Sequence, residues 1–346
     1  MASKKILVTG GTGYIGSHTV VELIQAGFEV LIIDNLSNSR EDVLSGFFQI
    51  TRTKPGFFCF DLCDRDATRK FFRNQKVDAV IHFAALKAVG DSVKNPLLYY
   101  HNNLVSLINT VDGCLHSGVN NFVFSSSCTV YGQPDKLPVD ENAALKKAES
   151  PYGNTKKISE DIIRDATGVA KFNAVSLRYF NPVGAHPSAL IGEYPIGKPT
   201  NLMPVITQTA IGKNKQLEIF GNDYSTPDGT CIRDYIHVKD VADAHVIAVK
   251  RLLEQNNKSA FEVFNLGTGK GISVMEMVNE FVSQTGIKLI YKITGRREGD
   301  VEKVYADIRK IKSETGWQAK YGLKEMIESS WKWEQALAKK NILSDV

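Results

Sequence analysis

A glycine-rich turn set between a strand and a helix constrains this chain more than any other feature. A short apolar run over residues 6–9 leads directly into Thr9-Gly10-Gly11-Thr12-Gly13-Tyr14-Ile15-Gly16, which satisfies both G-x-x-G-x-x-G and G-x-G-x-x-G spacing. Glycines at such a turn let backbone amides approach a diphosphate at the N-terminus of the following helix, where the dipole favours negative charge. A lone glycine pattern recurs by chance in many loops, so the surrounding context carries the weight. That context repeats: apolar runs at residues 6–9, 30–34, 79–83, 122–125 and 174–177 are each followed by a helix-length amphipathic stretch. This is the rhythm of parallel strands joined by crossover helices. A chain of 346 residues also exceeds one compact core. The expectation is an α/β protein with a doubly wound parallel sheet over residues 1–180. A smaller mixed α/β substrate region follows over residues 181–346, from which some strands or helices return to the first domain. The rhythm weakens after Asn181 into loops such as His186-Pro187-Ser188. Candidate strands at 216–220 and 261–266 and helices at 238–254, 274–285 and 323–339 come next, their pairing left open.

Asp34 closes the second apolar run, 18 residues past Gly16 (34 − 16). A carboxylate there accepts hydrogen bonds from ribose hydroxyls and repels a 2′-phosphate, and Asn35-Leu36-Ser37 brings no arginine to receive one. The expected cofactor is therefore NAD. Asp61 ends Phe57-Phe58-Cys59-Phe60-Asp61 and suits either an adenine amino group or a simple strand cap.

Ser150-Pro151-Tyr152-Gly153-Asn154-Thr155-Lys156 reads as a helix start, with serine at the N-cap and proline at the first helical position. Spacing of four puts Tyr152 and Lys156 on one face. A tyrosine acting as a base near pH 7 needs its pKa lowered by roughly three units, or about 4 kcal/mol. A neighbouring ammonium and a cationic nicotinamide ring together supply that. Ser125-Ser126-Ser127 follows a strand 25 residues upstream (152 − 127), where a hydroxyl faces the crevice of an open sheet and shares a proton with the tyrosine. Tyr-x-x-x-Lys alone usually decorates a solvated helix face. The order of glycine turn, serine cluster and Tyr-x-x-x-Lys makes it catalytic.

The 42 basic and 38 acidic residues are spread without like-charge runs, which argues against nucleic acid as a partner. Cysteines at 59, 63, 114, 128 and 231 suggest neither a disulfide framework nor a zinc site, so no metal is expected. The N-terminus enters a strand pattern at once and no 18-residue apolar span follows, so a cytoplasmic protein without membrane contact is expected.

Over residues 5–333 the chain resembles the extended short-chain dehydrogenases/reductases, and within them the UDP-galactose 4-epimerases. The match is carried by Thr9 to His18, His82-Phe83-Ala84-Ala85-Leu86-Lys87-Ala88-Val89-Gly90, Ser125 to Gly132, Tyr152-Gly153-Asn154-Thr155-Lys156 and Leu177-Arg178-Tyr179-Phe180-Asn181-Pro182. In the second half it rests on Asn201-Leu202-Met203-Pro204, Gly221 to Tyr224, Arg233-Asp234-Tyr235-Ile236-His237 and Arg296-Arg297-Glu298-Gly299-Asp300. The resemblance implies a Rossmann domain, an NAD cofactor, a UDP-hexose substrate and a homodimer. It implies that Tyr152 is base and acid at the sugar 4-hydroxyl, that Ser127 positions substrate and relays the proton, and that Lys156 holds the nicotinamide ribose while lowering the tyrosine pKa. The cofactor site would hold Gly10, Gly13, Tyr14, Ile15, Gly16, Asp34, Asn35, Asp61, Leu62, Phe83, Ala84, Lys87, Asn102 and Phe180, with the three catalytic residues. The UDP-sugar would meet Ser127, Tyr152, Asn181, Asn201, Leu202, Arg233, Tyr235, Arg297, Asp300 and Val304. Guanidinium forks suit a diphosphate and a carboxylate suits a ribose. For each arginine by itself, a surface ion pair is the plainer reading.

The reaction so implied is 4-epimerisation of UDP-galactose and UDP-glucose through a transient 4-keto sugar, with no net oxidation. Val304 aligns with a family position that gates the hexose 2-substituent, and its small side chain extends the expectation to UDP-GalNAc and UDP-GlcNAc. Cys128 stands where relatives commonly carry alanine, with no adjacent histidine base, which suits packing. A 4,6-dehydratase of the same fold needs an extra acid and base, and relatives of that kind carry an Asp-Glu pair where this chain has Cys128-Thr129-Val130. Another UDP-sugar epimerase, a UDP-uronic acid enzyme, or a non-enzymatic NAD(H)-sensing protein are the remaining alternatives. The dimer would use residues 97–115 and 152–166 in a four-helix bundle, although Leu98, Val105, Leu107 and Ile108 equally suit burial within one subunit.

Overall fold

The structure is a computed structural model, and it describes residues 3–169, 171–297 and 300–344. Glu298 and Gly299 of the second-half motif lie outside the described residues. Strand β1 (Lys5–Thr9) leads into helix α1 (Tyr14–Gln25), and the alternation continues through β2 (Glu29–Asp34), α2 (Val43–Thr51), β3 (Gly56–Cys59), α3 (Arg65–Asn74) and β4 (Ala79–His82). Next come α4 (Val89–Lys94), α5 (Pro96–Ser117), β5 (Asn121–Ser127), a 3-10 turn at Cys128–Tyr131, α6 (Pro151–Val169), β6 (Asn173–Tyr179) and β7 (Asn181–Val183). The remainder holds α7 (Leu202–Ala210), β8 (Leu217–Phe220), β9 (Ile232–Arg233), β10 (Tyr235–His237), α8 (Val238–Leu253), β11 (Phe261–Leu266) and β12 (Ile272–Ser273). It closes with α9 (Val274–Thr285), β13 (Tyr291–Thr294), β14 (Lys303–Val304), α10 (Arg309–Thr315) and α11 (Leu323–Ser344).

Seven parallel strands form the main sheet in the order β11-β6-β5-β4-β1-β2-β3. Its strands are apolar on both faces because helices cover both faces. Ile6 and Val8 of β1 pack on one side with Val20, Val21 and Leu23 of α1 and Ala244, Val249 and Leu252 of α8. Leu7, between them in sequence, points to the other side, among Phe71 and Phe72 of α3 and Leu107, Val111 and Cys114 of α5. The strand period of two therefore sorts one apolar run into two cores. Both β11 and α8 come from beyond residue 181. β11 pairs in parallel with β6 from Phe261↔Ala174 to Leu266↔Tyr179, which supplies the pairing that sequence left open.

The remaining elements build a second, smaller core in which Met203 and Ile206 of α7, Leu217 and Ile219 of β8, Met277 and Phe281 of α9, and Met326 and Ile327 of α11 meet. Among the described residues, no helix is long and apolar enough to cross a membrane.

Candidate active site

Strand order reverses at β1, with β2 and β3 to one side and β4, β5, β6 and β11 to the other. Such a reversal opens a crevice beyond the carboxyl ends of the strands. A cavity of about 420 Å³ lies there.

Gly10 leaves β1 with φ of +68°, and a Cβ on it would fall 2.7 Å from the backbone nitrogen of Ala84 after β4. A Cβ on Gly16 would fall 2.2 Å from the Gly10 carbonyl oxygen. Both positions exclude a side chain, so α1 starts hard against the strand ends. Its N-cap, Gly13, provides no side-chain acceptor to the first turn. Bare amide donors at the positive end of a helix dipole fit a diphosphate. At the end of β2, Asp34 accepts from the Thr12 amide at 3.2 Å, the Leu36 amide at 2.9 Å and the Ser39 hydroxyl at 3.1 Å. A carboxylate has about four lone-pair sites, so capacity for a ribose hydroxyl remains. Asp61 caps a turn, its Oδ1 accepting from the Cys63 amide at 2.8 Å, and also lines the cavity.

All the residues assigned to the cofactor line this one cavity. Gly10, Gly13, Tyr14, Ile15 and Gly16 come from the turn, and Asp34, Asn35, Asp61, Leu62, Phe83, Ala84 and Lys87 from strand ends and the loops after them. Asn102 comes from α5, Phe180 from just past the end of β6, Ser127 from the end of β5, and Tyr152 and Lys156 from the start of α6.

Ser150 caps α6 as its sequence suggests, its hydroxyl accepting from the Gly153 amide at 3.1 Å. The capped first turns carry Tyr152 and Lys156 on one buried face, 8% and 4% exposed. Ser125, Ser126 and Ser127 end β5 rather than follow it. Burial is the largest influence on the proton of Tyr152. Reinforced by Tyr179, Cys128 and Tyr99, it holds the Tyr152 pKa well above its ordinary value, against the opposing pull of Ser127. The Lys156 ammonium donates to the Ser125 carbonyl at 2.7 Å and stands 5.9 Å from the Tyr152 ring centroid. Burial pulls its own pKa down to about 7, opposed by Glu160 one turn further along α6. Glu160 is tied in turn to Ser126, Ser176 and a buried Arg178 at 2.6, 2.8 and 2.5 Å. This fixes α6 against β5 and β6 beneath the site.

The substrate assignments divide. Asn181 and Asn201 line the cavity, and the Asn181 side-chain oxygen is buried without a partner, as is the Thr129 hydroxyl, also on the wall. Buried polar atoms left unpaired on a cavity wall mark places for a ligand's polar groups. Arg233 and Arg297 converge on Asp300, at 3.5 and 2.7 Å, beyond the cavity lining. Val304 pairs in register with Arg233 and packs with Val130, Tyr131 and Phe180, beside Cys128. Leu202 and Tyr235 face the second core, Tyr235 being 4% exposed. Burial pushes the Cys128 thiol up to about 12, which suits packing and leaves no thiolate.

Several wall residues have no periodic or motif signal in the sequence. Glu193 and Tyr194 reach the cavity from the segment between β7 and α7, and Trp333 reaches it from α11. Arg40, six residues past Asp34, also lines it, but its guanidinium donates to the Tyr194 hydroxyl at 3.0 Å and lies over that ring.

The family described as GDP-mannose 4,6 dehydratase matches residues 7–330. UDP-glucose 4-epimerase GEPI48 of Cyamopsis tetragonoloba is 50% identical over 337 residues, covering 96% of this chain and 95% of that protein. The UDP-glucose 4-epimerase of Bacillus subtilis is 49% identical over 332 residues, covering 96% and 97%. Among solved structures, the UDP-glucose 4-epimerase of Stenotrophomonas maltophila, with bound NAD and formylated UDP-arabinopyranose, superposes with a TM-score of 0.94 at 45% identity, covering 97% of this chain and 99% of that one. That of Bifidobacterium longum, in complex with NAD+ and UDP, gives 0.92 at 41% identity, covering 96% and 98%. With relatives of this identity aligned along nearly its whole length, and with the same fold, the chain belongs to the UDP-glucose 4-epimerase family.

Proposed function

We propose that this protein is an NAD-dependent enzyme that interconverts UDP-galactose and UDP-glucose by inverting C4 of the hexose. The observation that carries this reading is the meeting of Ser127, Tyr152 and Lys156 with the Gly10–Gly16 turn on the wall of one cavity. NAD, when bound, supplies the hydride acceptor and donor that exchange at C4 requires. The chain's own residues handle the proton. Tyr152 Oη takes the 4-hydroxyl proton as the alcohol becomes a 4-keto group, and returns it once the other face of the sugar is presented. Ser127, on the same wall and favouring the ionised form of Tyr152, positions the hydroxyl. Lys156, with one N–H spent on Ser125, keeps two donors for a ribose. The residues assigned to the cofactor hold NAD through its diphosphate at the start of α1 and its adenosine ribose at Asp34. Arg233, Arg297, Asp300, Asn181 and Asn201 grip the UDP moiety, so the hexose stays free to turn.

A division of labour follows. Residues 1–180, with β11 and α8, hold the dinucleotide, and most of 181–346 holds the nucleotide sugar. Dehydration finds no support, because Cys128-Thr129-Val130 offers a protonated thiol, a hydroxyl and an alkyl group where an extra acid and base are needed.

Val304 extends the reading to N-acetylated sugars, since its small side chain packs directly behind the wall residues Cys128 and Phe180. Purified protein incubated with UDP-galactose, without added cofactor, is expected to form UDP-glucose at constant total UDP-sugar, and to convert UDP-N-acetylgalactosamine likewise. Unchanged UDP-galactose, even with NAD supplied, overturns the epimerase reading. Val304→Tyr is expected to lower kcat/KM for the N-acetylated sugar by more than about tenfold relative to UDP-galactose. Equal effects on the two sugars would remove Val304 from the gate.

The protein also pairs as a homodimer in this reading. Along α4 and α5, Val93, Leu97, Leu98 and Ile108 are 55%, 81%, 54% and 47% exposed, whereas Leu107 is fully buried within the subunit. An apolar stripe of that kind on a helix surface is a candidate for burial by a second copy. Sedimentation at micromolar concentration should give about 77 kDa, twice the 38.3 kDa chain mass, and a 38.3 kDa species would refute the pairing.

A further inference from the structure

Glu193 lies between β7 and α7 with its carboxylate only 12% exposed. Its Oε1 accepts from Lys87 Nζ at 3.0 Å and from Asn201 Nδ2 at 2.7 Å. Its backbone carbonyl accepts from the Trp333 indole at 2.7 Å, so α11 braces the segment from behind. The Lys87 ammonium lies 5.6 Å from the Tyr14 ring centroid, and the Tyr14 hydroxyl donates to the Gly184 carbonyl at 2.6 Å. One carboxylate oxygen thus stands between a residue of the dinucleotide side and a residue of the nucleotide-sugar side, with the glycine turn adjacent.

We propose that Glu193 is a positioning residue that orders Lys87 and Asn201 together and thereby couples retention of the dinucleotide to binding of the nucleotide sugar. This rests on the binding roles given above to those two residues. The donor arithmetic allows it. An ammonium has three N–H groups and a carboxamide two, and Glu193 uses one of each. Two donors on Lys87, and one donor with the side-chain oxygen on Asn201, stay available to ligands. A charged, largely buried acceptor holds such side chains more firmly than water does. Without it, two flexible side chains must be ordered at the moment of binding, and affinity falls by that entropy. A carboxylate serving only to fasten the segment would change stability and leave both ligands alone.

The test compares full-length Glu193→Ala and Glu193→Gln with the unsubstituted protein. NAD affinity and UDP affinity are read by calorimetry, KM and kcat by conversion of UDP-galactose, and stability by thermal melting. Glu193→Ala is expected to weaken NAD and UDP binding, and to raise KM, by about tenfold each. The change in kcat with both ligands saturating is expected to be much smaller. Glu193→Gln keeps an acceptor oxygen and should fall between. Combined with Lys87→Met, the loss in NAD affinity should be less than the product of the single losses, since the pair acts together. A lower melting temperature with unaltered NAD and UDP affinities overturns the proposal, as does a fall in kcat alone. The binding arms need no turnover, so an inactive unsubstituted protein would refute the epimerase reading while leaving the coupling test intact.

Discussion

Replacing Tyr152 with phenylalanine is expected to lower kcat for UDP-galactose by about 10³-fold, the usual worth of a positioned acid or base. The substitution removes one oxygen and keeps a ring that fills the same space, so α6 and its cap should survive. Tyr152 is 8% exposed, and the ring packs where Tyr179 and Cys128 approach it. NAD and UDP affinities should therefore stay within a few-fold of the original, which separates lost chemistry from lost binding. The electrostatics sharpen the expectation. Burial raises the tyrosine pKa, and the Lys156 ammonium donates to the Ser125 carbonyl. The base form arises only when a cation enters the cleft beside the ring and offsets the desolvation. The proton-transfer pKa should accordingly lie lower with oxidised than with reduced cofactor bound. Measuring kcat and both dissociation constants for Tyr152→Phe decides the point, and a variant retaining a tenth or more of the original kcat would remove Tyr152 from the proton-transfer role.

Local features were legible in sequence because short-range physics dictates them. The Gly10–Gly16 turn has to be glycine where a Cβ would strike the backbone of Ala84 or of Gly10 itself. The Ser150-Pro151 start of α6 is a cap and a fixed φ, both readable from two residues. Long-range placement was not legible. The run at Phe261–Leu266 looks like any other buried strand, and nothing local says that it returns 82 residues later to pair with Asn173–Tyr179 (261 − 179). Glu193 and Trp333 carry no pattern at all, since a single polar residue in a loop and a single indole on a helix become wall residues only when the segment between β7 and α7 folds back. Lys156 shows the same limit in electrostatic form. Spacing of four correctly put it on the face of Tyr152, but which acceptor its ammonium would find depended on the Ser125 carbonyl, which spacing does not encode.

Acid should destabilise this protein steeply, and earlier than its carboxylates alone would cause. His18, His82, His237 and His245 are each at most 2% exposed, and burial lowers their pKa values to about 3, about 3, about 4 and about 4. The cations facing them push the same way: Lys239 beside His18 and His237, and Lys156 beside His82. Glu325 near His237 opposes, as do the Tyr14 and Val241 carbonyls that accept from His18 and His245. In the unfolded chain these imidazoles titrate near 6.5, so below that value the unfolded state binds more protons than the folded state. Their contribution is fully present above about pH 6.5 and is lost as pH falls from there toward about 4. At pH 5 each costs about 2 kcal/mol whether its folded value is 3 or 4, and four together cost about 8 kcal/mol. Asp240 works against this, because burial raises its pKa to about 6 and protonation then favours the folded state by about 1 kcal/mol at pH 5. A net loss of about 7 kcal/mol rivals the whole stability of many domains. For a chain of 346 residues that loss corresponds to a melting temperature roughly 10 °C lower at pH 5 than at pH 7.5. Lys156, its pKa pulled down to about 7, takes up its proton in the folded state mostly between pH 7.5 and 6.5 and adds about 1 kcal/mol to the same loss. Equal melting temperatures at the two pH values would mean that the imidazoles become charged in place, and that the cores around α1, α8 and the C-terminal end of β4 open to water without unfolding.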